Sequence, residues 1–595
     1  MALRDKKATA SYNFVPLPAA VLKSPIDQGA ADDTARQANY RKYVTEQGTL
    51  SGYIELHCRT MTPVFIGTGD KEGAFFAPAG KPILPGSTLR GMVKNIFKIV
   101  TCGAMRTDKD SADIVDRALY YRSFTIPSYK KAMVRSERVG GQHQSFTKAE
   151  PGFLIRDKLE RRYYICPAQF RREKDTVLVQ QHKKVILWGE YEKRGGELAC
   201  FTGPMEGGRT AKTHYTLHFD PDWGQRIPVS EETIARYKGD LTRDEDLNLF
   251  DSKLAQEGEA AAHFTGDDAC DFVVPCFYKE KEGAVDHFGF GQYYRIPYPH
   301  TIGEHLPDVM KGDVAVVDYA DAIFGRKELW GSRLAFEDAV LKEDKGFEAA
   351  HYSKTLGEPK PTSYQLYLEQ KGEKADRDWG TENAVIRGYK LYWHQAANFP
   401  WRKDKADAKD NVDRKIRPLK AGSVFEGRIR FKNLSEVELG ALLKVFSLAA
   451  KDRELCFKIG QGKGIGLGSI RIDANLILVD EVHGCEQLFA ADGDWNRAEN
   501  EAPTEKYLKA FEAVIDKLQG VDKARYELSQ QALLDLLDWK ATEQKDWAAR
   551  TRQMTLGDKK NSSDPGEDFD EKAKQFRNRW VLPTAHEVYS EGKDK

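Results

Sequence analysis

The sequence predicts an α+β fold: a ferredoxin-like (RRM-like) core of split βαβ type, carrying large insertions and a C-terminal helical extension. Three observations predict it. Strand, loop and helix patterns follow one another across residues 52–100, and strand, helix and strand patterns recur across 424–472. A glycine-rich turn lies inside the second set, at 460–468. Composition then changes after about 476, where acidic residues outnumber basic ones 25 to 18.

Taken in order, residues 1–48 read as an N-terminal arm and linker, polar apart from the apolar piece at 12–17. The first half of the core spans 49–104. Tyr53, Ile54 and Leu56, then Val64, Phe65 and Ile66, read as a strand with Pro63 marking a break. After a loop at 67–73 comes a helix at about 87–100, with Leu89, Met92, Val93, Ile96, Phe97 and Val100 on one face. Ser87 is placed to cap it. Arg90, Lys94 and Lys98 make a cationic stripe, readable as a solvated face or as a surface for anions.

Residues 105–315 read as an insertion. Its 128–194 stretch holds 16 Lys and Arg against 8 Asp and Glu, including Arg135 and Arg138. Eight aromatics are interleaved there (Tyr129, Phe146, Phe153, Tyr163, Tyr164, Phe170, Trp188, Tyr191). Cations for phosphates and rings for bases suit a single-stranded nucleic acid; the competing reading is a β-rich insertion with snorkelling cations. The second half of the core, with its own insertion, spans 316–475. A short helix is expected at 317–324, strands at 332–338 and 424–431, and a helix from Ser435 to about 448 opened by a Ser435/Glu438 capping box. Residues 476–595 read as an acidic, mostly helical region with helices at 504–518 and 523–539.

The 595 residues carry 91 basic and 91 acidic side chains, which argues against a uniformly basic nucleic-acid binder and leaves room for local patches. A hydrophobic fraction of 41% excludes a disordered chain. Eight cysteines without a CxxC pair exclude zinc knuckles and thioredoxin-like redox motifs. A reducing cytoplasm is the expected location, with no signal peptide and no membrane partner. No fixed-period repeat is present, so solenoids and propellers are not expected.

Two segments carry candidate binding chemistry. In Gly460-Gln-Gly462-Lys463-Gly464-Ile-Gly466-Leu-Gly468, exposed N–H groups and Lys463 could cradle a phosphate backbone; equally, the glycines could serve a crowded turn. The run fits neither a Walker A loop nor a GxGxxG fingerprint. In Pro85-Gly86-Ser87-Thr88-Leu89-Arg90-Gly91, a helix start offers free N–H groups and a positive dipole end, or simple capping. Between Ile66 and Pro85 the only carboxylates are Asp70 and Glu72. Asp70 suits either a hydrated divalent metal or an Asx turn. His57, His143, His182, His214 and His218 lack any supporting spacing, and no Ser-His-Asp, HExxH or EF-hand pattern is present.

Four motifs stand in order: the strand with Gly67-Thr-Gly; Leu84-Pro-Gly-Ser-Thr-Leu-Arg-Gly91; Ala322-Ile-Phe-Gly325 with Gly331-Ser-Arg-Leu-Ala-Phe-Glu-Asp-Ala339; and the run from Ile459 to Gly468. Together they resemble the repeat-associated mysterious protein (RAMP) superfamily, most closely the backbone-type subunits of type III CRISPR effector complexes. Residues 356–363 and 386–394 resemble a large, insertion-bearing branch of that group. The resemblance implies a RAMP core that grips CRISPR RNA while base pairing reads the target RNA, beside other subunits of the complex. It places Gly86, Ser87, Thr88, Arg90, Lys94, Gly462, Lys463, Gly464 and Gly466 on the RNA-facing side. It also implies optional target cleavage through Asp70 with Mg2+ or Mn2+, although the longer Asp-bearing loop of cleaving members is not evident here. The alternatives are a catalytically inactive assembly subunit and a metal-independent CRISPR RNA-processing endonuclease. Outside the family stands a protein-interaction scaffold.

Overall fold

The alternation expected after residue 52 is realised as the strand Leu50–Thr60, with Ile54, Leu56 and Cys58 buried on one side and Glu55, His57 and Arg59 on the other. The strand stops before Pro63, which cannot donate to a ladder. It is flanked by two strands remote in sequence, Val424–Leu434 and Ser469–Val479, both antiparallel to it. Phe457–Lys458 lies beyond Ser469–Val479 at one edge, and Ala339–Glu343 followed by Ile83–Leu84 lies at the other. Leu334–Phe336 also pairs with Val424–Leu434. Counting only Leu50–Thr60, Ala339–Glu343, Val424–Leu434 and Ser469–Val479 in chain order, the sheet runs fourth, first, third, second.

Here the computed structural model describes residues 7–68, 73–105, 118–124, 126–174, 198–201, 215–240, 243, 248–251, 255–310, 316–356, 362–403, 413–448, 452–486, 498–554, 575 and 578–591. This is a mixed α/β protein in which every sheet is antiparallel among the described residues. One unit comprises Met1–Val115, Gly303–Asp378 and Asn383–Lys595; the other comprises Asp116–Ile302 and Trp379–Glu382.

In the first unit, the helix Gly86–Val100 buries Leu89, Val93, Ile96, Phe97 and Val100 in the main core. Each such side chain stabilises the packed state by roughly 1.5–3 kcal/mol. The helix Glu436–Lys444 buries Leu439, Leu442 and Leu443 in the same core. It opens with the expected capping box: Ser435 Oγ accepts from the Glu438 N–H at 3.2 Å, and Glu438 Oε2 accepts from the Ser435 N–H at 3.0 Å. It ends earlier than the spacing suggests, because the chain tightens into i to i+3 bonds at Val445 and Phe446.

The expected linker is instead largely the helix Asp33–Glu46. It has no apolar stripe for a periodicity argument to find. Polar contacts hold it: Asp32 caps the Ala35 N–H at 2.8 Å, and buried Arg36 bonds Asp27 and Asp33, each at 2.9 Å. Its Tyr40 ring stacks on Trp330 at 4.6 Å. The arm itself is tied down, with Tyr12–Val15 paired to Tyr389–Tyr392. In the acidic region, Glu505–Ile515 and Gly520–Leu537 are helices. They pack on the chain's own core, where Phe511 meets Tyr319 and Lys444 bonds Glu512 at 2.8 Å.

The second unit is built on an eight-stranded antiparallel sheet whose long members are Glu150–Asp157, Tyr163–Lys174 and Cys270–Lys281. Val134–Val139 and Gln142–Thr147 form a separate hairpin.

Candidate nucleic-acid interface

The first helix begins at Gly86 with Pro85 as its N-cap, so Ser87 sits inside the first turn, exposed, and makes no capping bond. Glycine is required at the start because a Cβ on residue 86 would meet the Phe336 carbonyl oxygen at 2.1 Å. The Gly86 N–H donates to Asp338 Oδ1 at 2.7 Å. A carboxylate of the chain itself therefore takes one of the free N–H groups at the positive end of this helix. Thr88 is half-buried and its N–H closes a turn on the Pro85 carbonyl at 2.9 Å.

The cationic stripe is anchored as well. Arg90 donates to the Phe324 carbonyl at 2.9 Å, and its guanidinium lies 5.6 Å from the centre of the Phe324 ring. The Lys94 ammonium is 5.8 Å from the same ring. Burial lowers the Lys94 pKa and repulsion from Lys98 and Arg90 adds to it, while Asp321 and Asp318 oppose the shift. Burial and the adjacent Asp318 charge push Asp321 up to about 8, against the pull of Lys98, Arg326 and Lys94. Arg90 also reaches the edge of a cavity of about 620 Å³ shared with Arg326, Lys327, Trp330 and Ser332. The helix start and the two halves of the third motif thus converge at one place.

The glycine-rich run meets a different partner. Its Gln461 N–H donates to the Phe65 carbonyl at 2.8 Å, and the Gly468 N–H donates to Pro63 at 2.9 Å. Gly462 and Gly466, with left-handed φ of 74° and 96°, bracket a turn over Lys463–Ile465. At Gly468 a Cβ would meet the Ile459 carbonyl oxygen at 2.0 Å. Lys463 folds back to donate to the Gly460 carbonyl at 2.8 Å, and burial lowers its pKa. Lys458 holds the far side, donating to the Leu467 carbonyl at 2.9 Å; burial and the charge of Lys463 push it down to about 7. Gly464 stands close to Ser11 and Tyr392. The four motifs therefore gather as two pairs. The helix start joins the Phe324–Ser332 segment, while the loop after the first strand joins the glycine run.

Asp70 and Glu72 lie outside the described residues, as do His182 and His214 and the side chains of His143 and His218. Among the described residues, no group of three or more His, Cys, Asp or Glu side chains is gathered to hold a metal ion. His57 lies on the outer face of the central sheet, 3.4 Å from Glu426. Arg135 and Arg138 are exposed on the Val134–Val139 strand, and Arg135 lies 6.0 Å from the Phe146 ring. Tyr129 and Phe153 are fully buried, so these two rings of the interleaved set serve packing. The side chains of Phe170, Trp188 and Tyr191 lie outside the described residues.

Sequence reasoning missed two features. One is the outer sheet face, where Arg428 pairs with Glu55 at 3.3 Å, Arg430 with Glu337, and Lys342 with Glu426 at 3.3 Å. These three pairs match charge across strands, and Tyr53 is buried under Arg428. The other is His394, fully buried behind the glycine run, which bonds Ser469 Oγ at 2.9 Å and the Cys456 carbonyl at 3.0 Å. Burial pushes it down to about 3.

Residues 57–160 match the sequence profile of the RAMP superfamily. The matched stretch takes in the end of the first strand, the helix at Gly86 and the hairpin bearing Arg135 and Arg138. It supports RAMP kinship over that stretch. No curated protein matches the chain. No helix among the described residues is long and apolar enough to cross a membrane.

Proposed function

We propose that this chain is a CRISPR RNA-binding backbone subunit of a type III CRISPR ribonucleoprotein, built on a ferredoxin-like RAMP core. It holds the guide–target RNA duplex beside other subunits of the effector complex in the cytoplasm. The observation that carries the reading is the RAMP match over residues 57–160, which takes in the end of the first strand, its loop and the helix Gly86–Val100. The sheet order of fourth, first, third, second adds support, as a βαββαβ chain of ferredoxin-like type lays its strands in that way. The two motif pairs lie at opposite edges of that sheet, with Arg90, Lys94 and Lys463 part-exposed beside them for a phosphate backbone to meet, while their glycines serve the chain's own packing.

The test is the nucleic acid that co-purifies when the chain is expressed with a CRISPR array and its neighbouring genes. Short RNAs of repeat-plus-spacer sequence, retained at moderate salt, are expected. A preparation free of RNA, or one carrying unrelated cellular RNA in proportion to its abundance, overturns the proposal in favour of a scaffold.

A further inference from the structure

A basic surface lies outside every motif discussed so far. His351–Ser353, Arg402–Lys403 and Lys415–Ile416 form a three-stranded antiparallel sheet. Its register sets Lys403 and Lys415 on either side of Tyr352, so the three side chains share one face. Arg417 follows two residues on, exposed, 5.0 Å from the Phe347 ring; Lys354 lies 5.7 Å from the Phe399 ring.

Much of this charge is unneutralised. Asp413 takes Lys403 at 2.6 Å and Glu348 takes Arg402 at 2.5 Å. Lys354, Lys415, Arg417 and Lys420 make no ion pair among the described residues, and the last three are exposed. Where Arg428, Arg430 and Lys342 of the central sheet face carboxylates, these cations are left to attract a polyanion.

Its place in the unit strengthens the argument. The Arg417 N–H donates to the Gly73 carbonyl at 3.1 Å, and Leu419 exchanges backbone bonds with Val64 at 2.9 and 3.0 Å. Phe399 packs against Gly466. The basic sheet thus borders both the segment after the first strand and the glycine run.

We infer that this sheet is a second contact for single-stranded RNA, with Lys415, Arg417 and Lys420 on phosphates and Tyr352 stacking a base. The inference rests on the RNA-binding reading above and names residues which that reading leaves out. Cations interleaved with rings suit a single strand, since charge follows the backbone and every base offers a face.

The experiment uses the full chain and a fluorescently labelled, uridine-rich RNA strand, titrated at several salt concentrations. Each phosphate contact to a single strand contributes about 0.7 to the slope of log affinity against log salt, so K415Q/R417Q/K420Q should lower that slope by about 2 and weaken binding roughly tenfold. Tyr352→Leu should weaken binding about tenfold and leave the slope unchanged. An unaltered melting temperature establishes that each variant folds; should the triple variant melt early, K415Q alone should lower the slope by about 0.7. Unchanged slope and affinity in a folded variant overturn the inference and leave the co-purification result standing. Loss of poly-glutamate binding with RNA binding intact also overturns it, in favour of an acidic protein partner. No RNA binding by the unaltered chain overturns both readings.

Discussion

Arg333 is a buried hub. Its guanidinium makes a bidentate pair with Glu438, with one bond of 2.9 Å, and also donates to the Asn433 carbonyl at 2.7 Å and to Ala322 at 3.1 Å. It therefore joins the end of the helix Tyr319–Phe324 to the capping box of the helix Glu436–Lys444. Arg333→Met leaves the Glu438 carboxylate, which is fully buried, without its counter-charge. Stranding one partner of such a pair costs about 3–5 kcal/mol. Glu438→Gln should cost less, because the amide still accepts one bond while Arg333 keeps its two carbonyl partners. Replacing both, as Arg333→Met with Glu438→Leu, removes both charges, and recovery of about 1–3 kcal/mol relative to Arg333→Met is expected. The assay is urea unfolding followed by tryptophan fluorescence. With two units in the chain, the quantity compared is the midpoint of the affected transition, not one global free energy. A loss under about 1 kcal/mol for Arg333→Met, or strictly additive single and double variants, would refute the claim that a desolvated ion pair fastens these elements.

Three further outcomes are expected. His394 is neutral when folded, with a pKa near 3 against an ordinary 6.5, so the unfolded chain binds more protons below pH 6.5 and stability falls with acidification. The drop between pH 7 and 5 is about 2 kcal/mol, and a His394→Gln variant measured by urea unfolding should lose that slope. Gly86→Ala should destabilise the first helix by more than about 1 kcal/mol, since the new methyl strikes backbone, while Gly91→Ala, with open space around it, should stabilise by about 0.5–1 kcal/mol; equal melting temperatures would contradict both. If the assembled complex cleaves target RNA, activity should need Mg2+ or Mn2+ and disappear in Asp70→Ala with guide binding retained; cleavage that survives EDTA would point to metal-independent chemistry instead.

How much of this was legible beforehand differs from element to element. The first helix, the strands around it and the Ser435/Glu438 box could be read because apolar spacing and a cap are local signals. Asp33–Glu46 could not, since its support comes from Asp27 and from Tyr43 bonding Ser435 at 2.8 Å. The glycine run was visible as a run. Its neighbours were not: the contact with Phe65 joins positions nearly 400 residues apart, and no spacing rule reaches that far. Asp338 was quoted within a motif, yet its role at the Gly86 N–H needs the sheet edge that brings them together. The basic three-stranded sheet escaped notice because its cations come from three separated segments, none exceptional alone.

The flanks of the strand Leu50–Thr60 also set an order of events during synthesis. Its first neighbour, Val424–Leu434, is translated about 360 residues later, and Ser469–Val479 later still. At about 5–20 residues per second, the strand leaves the ribosome some 20–70 seconds before a partner exists for either edge. Two bare edges over that interval are a template for pairing with other nascent chains. The tract from Leu50 to Thr60 is therefore where a chaperone, or slower initiation on the message, would most improve the yield of native protein.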